Sequence, residues 1–261
     1  MFLTNFLEDI FMGTLNKKTL IWAHRGACGY RPENTLEAFE LAVEMGADGV
    51  ELDVHLTRDG YVVVNHDEKI DRTSNGQGLI TDYTLDELRA FDFGYKFYGE
   101  RRGVKLPTLD EVYELLAPTG LTVNVEIKSA DPDICAACDA IAKRYGMEKK
   151  VIYSSFDHLQ LSQMKKVNSK AEVAPLYGFN LLNPWNYAKD ISAAAVHPAH
   201  WLIDNQEEYV EKCHALGIKV NTWTVNTEEQ MKHLLALGCD ALISNYPDIA
   251  VKERDEYFAK Q

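Results

Sequence analysis

The sequence predicts an α/β fold, namely a TIM (β/α)8 barrel with an antiparallel hairpin and a small insertion after its second barrel strand. Two observations lead to this prediction. Short β-branched runs alternate along the chain with amphipathic helical stretches, which is the pattern of parallel βαβ units. The chain also has 261 residues, and a barrel of this kind typically takes about 250 residues as a single domain.

Nine runs have the composition of β-strands, one more than an eight-stranded barrel needs. They cover residues 19–23, 49–55, 61–65, 121–127, 151–155, 172–177, 193–197, 218–225 and 241–244. Residues 56–60 alone separate the second run from the third, whereas a parallel crossover needs roughly a dozen residues. Asp59-Gly60 is also a strong hairpin-turn signal. The third run is therefore predicted to fold back antiparallel on the second, which leaves eight parallel strands.

Amphipathic stretches between the strands predict helices over residues 36–45, 133–145, 156–167, 206–216 and 227–237. Thr84-Leu85-Asp86-Glu87 has the spacing of a capping box, which marks the start of another helix. Pro107-Thr108-Leu109-Asp110 opens a further helix. Residues 67–110 interrupt the alternation. They are predicted to be an insertion over one mouth of the barrel. This insertion is either a lid that affects specificity or an ordinary packed segment without a functional role. The barrel domain is predicted to span residues 12–261, and residues 1–11 to be an N-terminal extension.

The composition excludes several classes of function. The formal net charge is -13, which opposes sequence-independent nucleic-acid binding and attachment to anionic lipid, because both need a basic footprint. Glu8 and Asp9 interrupt the apolar N-terminal run, so a signal peptide is not expected. The sequence also lacks an apolar stretch of about 18 residues. We therefore expect a cytoplasmic protein without stable membrane insertion, and a homo-oligomer is left open.

Three carboxylates lie where a barrel enzyme carries its reacting groups, on strands near their carboxyl ends. Glu51 and Asp53 are two residues apart on the second strand and so face the same side, and Glu126 is near the end of the next full barrel strand. Such carboxylates repel one another unless a positive charge neutralises them. The sequence therefore predicts one divalent cation, Mg²⁺ or Ca²⁺, held by Glu51, Asp53 and Glu126.

Two histidines and two cationic residues are predicted to surround that cation. His24 ends the first strand, and the hairpin returns His66 toward the same mouth. Two imidazoles beside a cation suit the hydrolysis of a phosphodiester, because one can take the nucleophile's proton while the other protonates the leaving alkoxide. Arg25 and Lys128 add positive charge for phosphate at the same end, and the seventh barrel strand carries Trp223.

These residues belong to an ordered set of motifs that runs from about residue 20 to residue 248. The motifs are His24-Arg25-Gly26, Pro32-Glu33-Asn34-Thr35, Gly46-Ala47-Asp48, Glu51-Leu52-Asp53-Val54, Thr57-x-Asp59-Gly60, His66-Asp67, Glu126-Ile127-Lys128 and Trp223-Thr224-Val225-Asn226. The set closely resembles the glycerophosphodiester phosphodiesterase family. Ser244-Asn245-Tyr246-Pro247 differs from the Thr-Asp-x-Pro expected there, at a barrel end to which no catalytic role is assigned.

The resemblance implies metal-dependent hydrolysis of glycerophosphodiesters, such as glycerophosphocholine, to an alcohol and glycerol 3-phosphate. The substrate would thus be a small molecule. The roles that it implies are metal ligation by Glu51, Asp53 and Glu126, acid–base catalysis by His24 and His66, phosphate binding by Arg25 and Lys128, and packing of Trp223 against the glycerol moiety.

Two alternatives remain open at this point. One is a phospholipase-type phosphodiesterase that acts on lipid diesters through a cyclic phosphate. The sequence shows no apolar loop and no basic amphipathic helix for membrane docking, which opposes a lipid substrate. The other is a non-catalytic barrel that binds phosphodiesters, and the complete set of acids and histidines opposes it. The alcohol that leaves is not predicted.

Overall fold

The computed structural model describes residues 19–261, whose nine strands form one sheet. The strands are β1 (Leu20–His24), β2 (Gly49–Leu56), β3 (Val62–Val64), β4 (Thr122–Ile127), β5 (Val151–Ser155), β6 (Glu172–Tyr177), β7 (Ala195–Pro198), β8 (Lys219–Thr222) and β9 (Ala241–Ser244). The α-helices are α1 (Leu36–Glu44), α2 (Leu85–Leu88), α3 (Tyr95–Tyr98), α4 (Leu109–Leu116), α5 (Ile134–Arg144), α6 (His158–Val167), α7 (Pro184–Asp190), α8 (Tyr209–Ala215), α9 (Glu228–Ala236) and α10 (Pro247–Phe258).

Eight of the strands close into a parallel barrel. The sheet runs in the order β1-β9-β8-β7-β6-β5-β4-β2, and pairing of β1 with β2 closes the ring. Strand β3 lies outside the ring and pairs antiparallel with β2, with Val54 opposite Val64. The predicted TIM barrel and its antiparallel hairpin are both confirmed. All eight barrel strands therefore direct their carboxyl ends to the same mouth, where β3 also returns the chain.

Two helices of the barrel were missed by the sequence analysis, α7 and α10. Each begins at a proline, Pro184 or Pro247. Proline interrupts a helix interior but is well suited to the first helical position, where its missing N–H would have no partner. The capping box predicted at Thr84 is confirmed, since its side chain accepts from the backbone N–H of Glu87 and the Glu87 carboxylate accepts from the backbone N–H of Thr84.

The interior of the barrel is packed rather than open. Beneath the mouth it is filled by one buried apolar cluster that consists of Trp22, Ile152, Ala174, Ala195, Ala241 and Ile243. Burial of these side chains stabilises the ring and closes its centre to solvent. Any site at the mouth thus has a solid floor, and a substrate must approach from the carboxyl ends of the strands.

Residues 67–110 pack beside β3 and have a small core of their own. That core consists of Val63, Ile70, Ile80, Leu85, Leu88, Phe93 and Leu106. The Tyr98 hydroxyl donates to Glu37 on α1 at 3.0 Å, which ties this segment to the barrel. Across residues 19–261, every helix is too short or too polar to span a bilayer. The predicted extension over residues 1–11, and the predicted domain start at residue 12, lie outside the described residues.

Candidate active site

A cavity of about 90 Å³ lies at the carboxyl ends of the barrel strands. Six of the eight predicted site residues line it, namely His24, Arg25, Glu51, His66, Glu126 and Trp223. The other two, Asp53 and Lys128, contact these residues directly. The structure thus brings together side chains that lie as far as 199 positions apart in the chain.

The three carboxylates form a buried cluster because β2 and β4 are neighbours in register, with Asp53 beside Glu126. The side chains of Glu51, Asp53 and Glu126 each offer an oxygen within 4.8 Å of the others. All three residues are at most 8% exposed. Burial, and then repulsion from neighbouring carboxylates, raises the pKa of Glu51 well above its usual value and that of Glu126 to about 7.

This cluster fits a divalent cation. Calcium binds oxygen at about 2.3–2.6 Å and magnesium at about 2.0–2.1 Å, so both could be reached by these oxygens with little movement of the side chains. Asp53 Oδ1 is buried and finds no hydrogen-bond partner among residues 19–261. A buried carboxylate oxygen without a partner is costly in free energy. A bound cation would satisfy that oxygen and relieve the repulsion within the cluster.

Two cationic side chains lie against the same carboxylates. Arg25 Nε is 3.4 Å from Asp53 Oδ2, and Lys128 Nζ is 2.8 Å from Glu126 Oε1. Burial alone would raise the pKa of Asp53, but attraction to Arg25, to His66 and to Lys128 outweighs burial and leaves the pKa below its usual value. The positive charges thus face the cavity from beside the acids, where an anionic phosphodiester could contact them.

His24 presents a free ring nitrogen to the cavity. Its Nδ1 donates to Asn245 Oδ1 at 2.6 Å, while Nε2 lies 3.9 Å from Glu51 Oε2. Burial lowers the pKa of His24 to about 4, with a further decrease from Arg25. With Nδ1 carrying the proton, Nε2 of the neutral ring is left as a proton acceptor at the pocket.

His66 is oriented in the same way from the other side. Its Nδ1 donates to Asp67 Oδ1 at 2.6 Å, and its Nε2 accepts from Lys128 Nζ at 3.2 Å. Arg72 Nε donates to Asp67 Oδ2 at 2.7 Å, and this hydrogen bond lowers the pKa of Asp67 to about 2. Arg72 also donates to both carboxylate oxygens of Glu33 at 2.7 Å. Residues 67–110 therefore help to fix the second imidazole.

The backbone after β1 explains why His24 and Arg25 can share one mouth. Arg25 and Gly26 both adopt positive φ angles, 53° and 77°. A Cβ at Gly26 would lie 2.6 Å from the backbone carbonyl carbon of Ala38, so glycine alone fits this turn. The tight turn lets the Arg25 backbone N–H donate to Glu51 Oε2 at 3.0 Å.

Several residues of the site were not found from the sequence. Asn245 holds His24, although its stretch of sequence was given no catalytic role. Asn34 Nδ2 donates to Asp53 Oδ2 at 2.9 Å. Asn124 and Phe156 line the cavity, and Asn124 Oδ1 is buried without a partner among the described residues. Phe156 directly follows β5, so it could have been found among the residues at the carboxyl ends of the strands.

The fold and the pocket together define the chain as a (β/α)8-barrel enzyme with its site at the carboxyl ends of the strands. The model of the Glycerophosphoryl diester phosphodiesterase family matches residues 24–249. The chain belongs to this family, which confirms the resemblance drawn from the motifs.

Curated relatives and a solved structure agree with this assignment. The chain is 42% identical to a glycerophosphodiester phosphodiesterase of Caldanaerobacter subterraneus subsp. tengcongensis, over 90% of this chain and 97% of that protein. It is 40% identical to a glycerophosphodiester phosphodiesterase of Bacillus altitudinis, over 91% of this chain and 99% of that protein. An Oleispira antarctica phosphodiesterase, solved with the product sn-glycerol-3-phosphate, superimposes with a TM-score of 0.85 at 28% identity, over 93% and 99% of the two chains.

Proposed function

We propose that the protein hydrolyses glycerophosphodiesters to an alcohol and glycerol 3-phosphate, with the help of one divalent cation. The observation that carries this proposal is the pocket in which two oriented imidazoles flank a buried cluster of three carboxylates. Membership of the family supports it, as does the glycerol 3-phosphate bound to the structural relative from Oleispira antarctica.

The residues that would hold the cation are Glu51, Asp53 and Glu126, and its identity would be Mg²⁺ or Ca²⁺. When bound, the cation supplies Lewis-acid stabilisation of the charge that develops on the phosphoryl oxygens. Arg25 and Lys128 would bind the same oxygens from beside the acids. The three carboxylates carry three negative charges, whereas the divalent cation, Arg25 and Lys128 carry four positive charges. The pocket is thus left with roughly one net positive charge, which suits a phosphodiester monoanion.

The two histidines would move the protons. His24 Nε2 is the free acceptor, so it is suited to take the proton of the attacking water. His66, carrying a proton on Nε2 as well as on the Nδ1 that Asp67 holds, would then give the Nε2 proton to the alkoxide that leaves phosphorus. Trp223 lines the same cavity, and its Nε1 donates to the backbone oxygen of His197 at 2.8 Å, which fixes the indole as a wall for the glycerol moiety.

Release of glycerol 3-phosphate from a panel of head groups tests the proposal. We expect turnover of glycerophosphocholine and glycerophosphoethanolamine in the presence of Mg²⁺ or Ca²⁺, measured by a coupled assay for glycerol 3-phosphate. Failure to release glycerol 3-phosphate from any member of the panel would contradict the proposal. A transient cyclic glycerophosphate would instead favour attack by a neighbouring hydroxyl of the substrate over attack by water.

Asn245 provides a test of how His24 is oriented. Asn245→Leu removes the acceptor for His24 Nδ1 at similar side-chain size. We expect kcat to fall by about 10-fold to 100-fold, the cost of about 1.4–2.7 kcal/mol for a misaligned base. KM should change little, because the amide contacts the histidine and not the substrate.

The matched variant is Asn245→Asp, which keeps an oxygen in place to accept from His24 Nδ1. We expect it to retain most of the wild-type kcat. Equal losses in the Leu and Asp variants would show that the amide acts otherwise than by accepting this hydrogen bond.

A further inference from the structure

A chain of alternating charges connects two residues of the cavity, Arg25 and His66. Arg25 Nη1 donates to Glu33 Oε1 at 2.9 Å, and Arg72 donates to both carboxylate oxygens of Glu33 at 2.7 Å. Arg72 also donates to the two carboxylate oxygens of Asp67, at 2.7 and 3.2 Å. Asp67 in turn accepts from His66 Nδ1 at 2.6 Å. Two cations and two anions therefore alternate up to the second imidazole.

Arg72 lies at the centre of this chain and does not itself line the cavity. Its hydrogen bonds to the two carboxylates use four of the five N–H groups of a guanidinium. Little donor capacity is left for a substrate phosphate. Arg72 is therefore suited to hold other side chains rather than to bind the substrate.

The two carboxylates that Arg72 joins belong to different parts of the chain. Glu33 lies in the turn before α1, whereas Asp67 begins the segment that follows β3. An isolated pair of exposed charges usually contributes little, because both side chains remain mobile. Here the side chain of Glu33 is only 20% exposed and that of Asp67 32% exposed. Two-point contacts also fix the orientation of a carboxylate as well as its distance.

A fixed, ionised Asp67 is what His66 needs in order to donate a proton. The hydrogen bonds from Arg72 are the largest cause of the low pKa of Asp67, about 2. The carboxylate accepts from His66 Nδ1, which directs Nε2 to the cavity and stabilises the positive charge of a doubly protonated ring. Without Arg72, the Asp67 side chain would lose its second anchor and hold the ring less firmly.

We propose that Arg72 is a positioning residue for the general acid, and that the reaction depends on it only when the leaving group is strongly basic; this inference rests on the proposed function. Water adds its oxygen to phosphorus, the bond from phosphorus to the leaving oxygen breaks, and that oxygen takes the Nε2 proton of His66. The alkoxide of choline is strongly basic and requires this proton. A p-nitrophenolate is stable without it, so its departure does not depend on an aligned acid.

The motif Pro32-Glu33-Asn34-Thr35 thereby acquires a role that its sequence did not suggest, because Glu33 anchors Arg72. Arg72 was not found from the sequence. It lies within residues 67–110, where the regular alternation of strands and helices is interrupted and gives no indication of which side chains face the site.

The test compares Arg72→Ala with the wild type on two substrates that yield the same product. They are glycerophosphocholine and the p-nitrophenyl ester of glycerol 3-phosphate, and release of glycerol 3-phosphate at saturating Mg²⁺ or Ca²⁺ reports both reactions. Thermal unfolding shows whether each variant is folded. Arg72→Lys is measured in parallel, because it keeps the charge but cannot pair with both carboxylates at two points each.

The matched control is Arg58→Ala. The Arg58 side chain is 52% exposed, similar to the 46% of Arg72, and its Nη2 lies 2.8 Å from Glu87 Oε2. It also donates to the backbone oxygen of Asp82. Arg58 thus holds the same segment through charged and polar contacts, but none of these contacts reaches His66.

We expect Arg72→Ala to lose about 10-fold to 100-fold in kcat/KM on glycerophosphocholine, which is part of the full contribution of a general acid. Its loss on the p-nitrophenyl ester should stay within about threefold, because no proton is needed there. Arg72→Lys should show the same difference between substrates to a smaller extent. Arg58→Ala should match the wild type within about twofold on both.

A double variant shows whether Arg72 acts through Asp67. Asp67→Ala should reduce kcat/KM on glycerophosphocholine at least as much as Arg72→Ala does. Adding Arg72→Ala to Asp67→Ala should cost less than about twofold more, because the carboxylate that Arg72 holds is already gone. Losses that multiply in the double variant would show that Arg72 acts by another route.

Two further outcomes would overturn the inference. Equal losses on the two substrates would show that Arg72 supports the fold or phosphate binding and not the acid, and so would an equal effect of Arg58→Ala. Wild-type kcat/KM on glycerophosphocholine in a folded Arg72→Ala or Arg72→Lys variant would show that the acid is aligned without it. In each case turnover by the wild type leaves the proposed function intact, whereas a wild type that cleaves neither substrate would contradict the proposed function itself.

Discussion

Replacing His24 or His66 by alanine is expected to lower turnover of glycerophosphodiesters by about 10²-fold to 10⁴-fold, which is the usual contribution of general acid–base catalysis. Each ring is anchored at Nδ1, by Asn245 or by Asp67, and directs Nε2 to the cavity. Loss of either ring removes one of the two proton transfers. Steady-state assays of glycerol 3-phosphate release, at saturating metal, measure the effect.

The control for this prediction is His233→Ala. His233 is an exposed residue of α9, and its Nε2 pairs with Asp204 at 2.8 Å. It does not line the cavity, so its loss should leave turnover unchanged. Thermal unfolding of all three variants checks that the barrel is still folded. Wild-type activity in a folded His24→Ala or His66→Ala variant would refute the two-histidine mechanism.

Removal of divalent metal is expected to abolish activity, and addition of Mg²⁺ or Ca²⁺ to restore it. Without a cation, the carboxylates of the cluster repel one another and also repel an anionic substrate. The same cation should raise the melting temperature, because a ligand that binds the folded state alone stabilises it. Activity after treatment with EDTA and differential scanning calorimetry during metal titration provide two independent readouts.

Asp53→Asn separates specific from general effects of the metal. This variant should lose most of the melting-temperature increase, because it replaces a carboxylate whose Oδ1 forms no hydrogen bond with residues 19–261 and is available to the cation. Asp190→Asn, at the exposed end of α7, should respond like wild type. A fully active chelated enzyme, or equal stabilisation of both variants by metal, would exclude the proposed metal site.

The barrel was accessible from the sequence because local patterns determine it. The five residues between β2 and β3 are too few for a parallel crossover, so the hairpin followed from loop length and from the turn signal Asp59-Gly60. Once the strands were counted, their carboxyl ends located His24, Glu51, Asp53 and Glu126 at one mouth. Their proximity is now seen in the structure, whereas their catalytic and metal-binding roles stay predictions.

The contacts that orient the site could not be predicted in the same way. His24 and Asn245 are 221 positions apart, and they meet because the first and last strands of the barrel, β1 and β9, pair with each other. Sequence patterns indicate which face of a strand a side chain takes. They do not indicate its rotamer, or which residue of a distant strand it contacts.

The bond between Glu33 and Arg72 has a consequence for exchanging parts between relatives. Arg72 belongs to residues 67–110 and Glu33 to the turn before α1, and Arg72 also grips Asp67 behind His66. A chimaera that receives this segment from another family member keeps both contacts only if the donor segment has an arginine at position 72. The segment is therefore not an independent module, because its arginine must pair with Glu33 in the turn before α1.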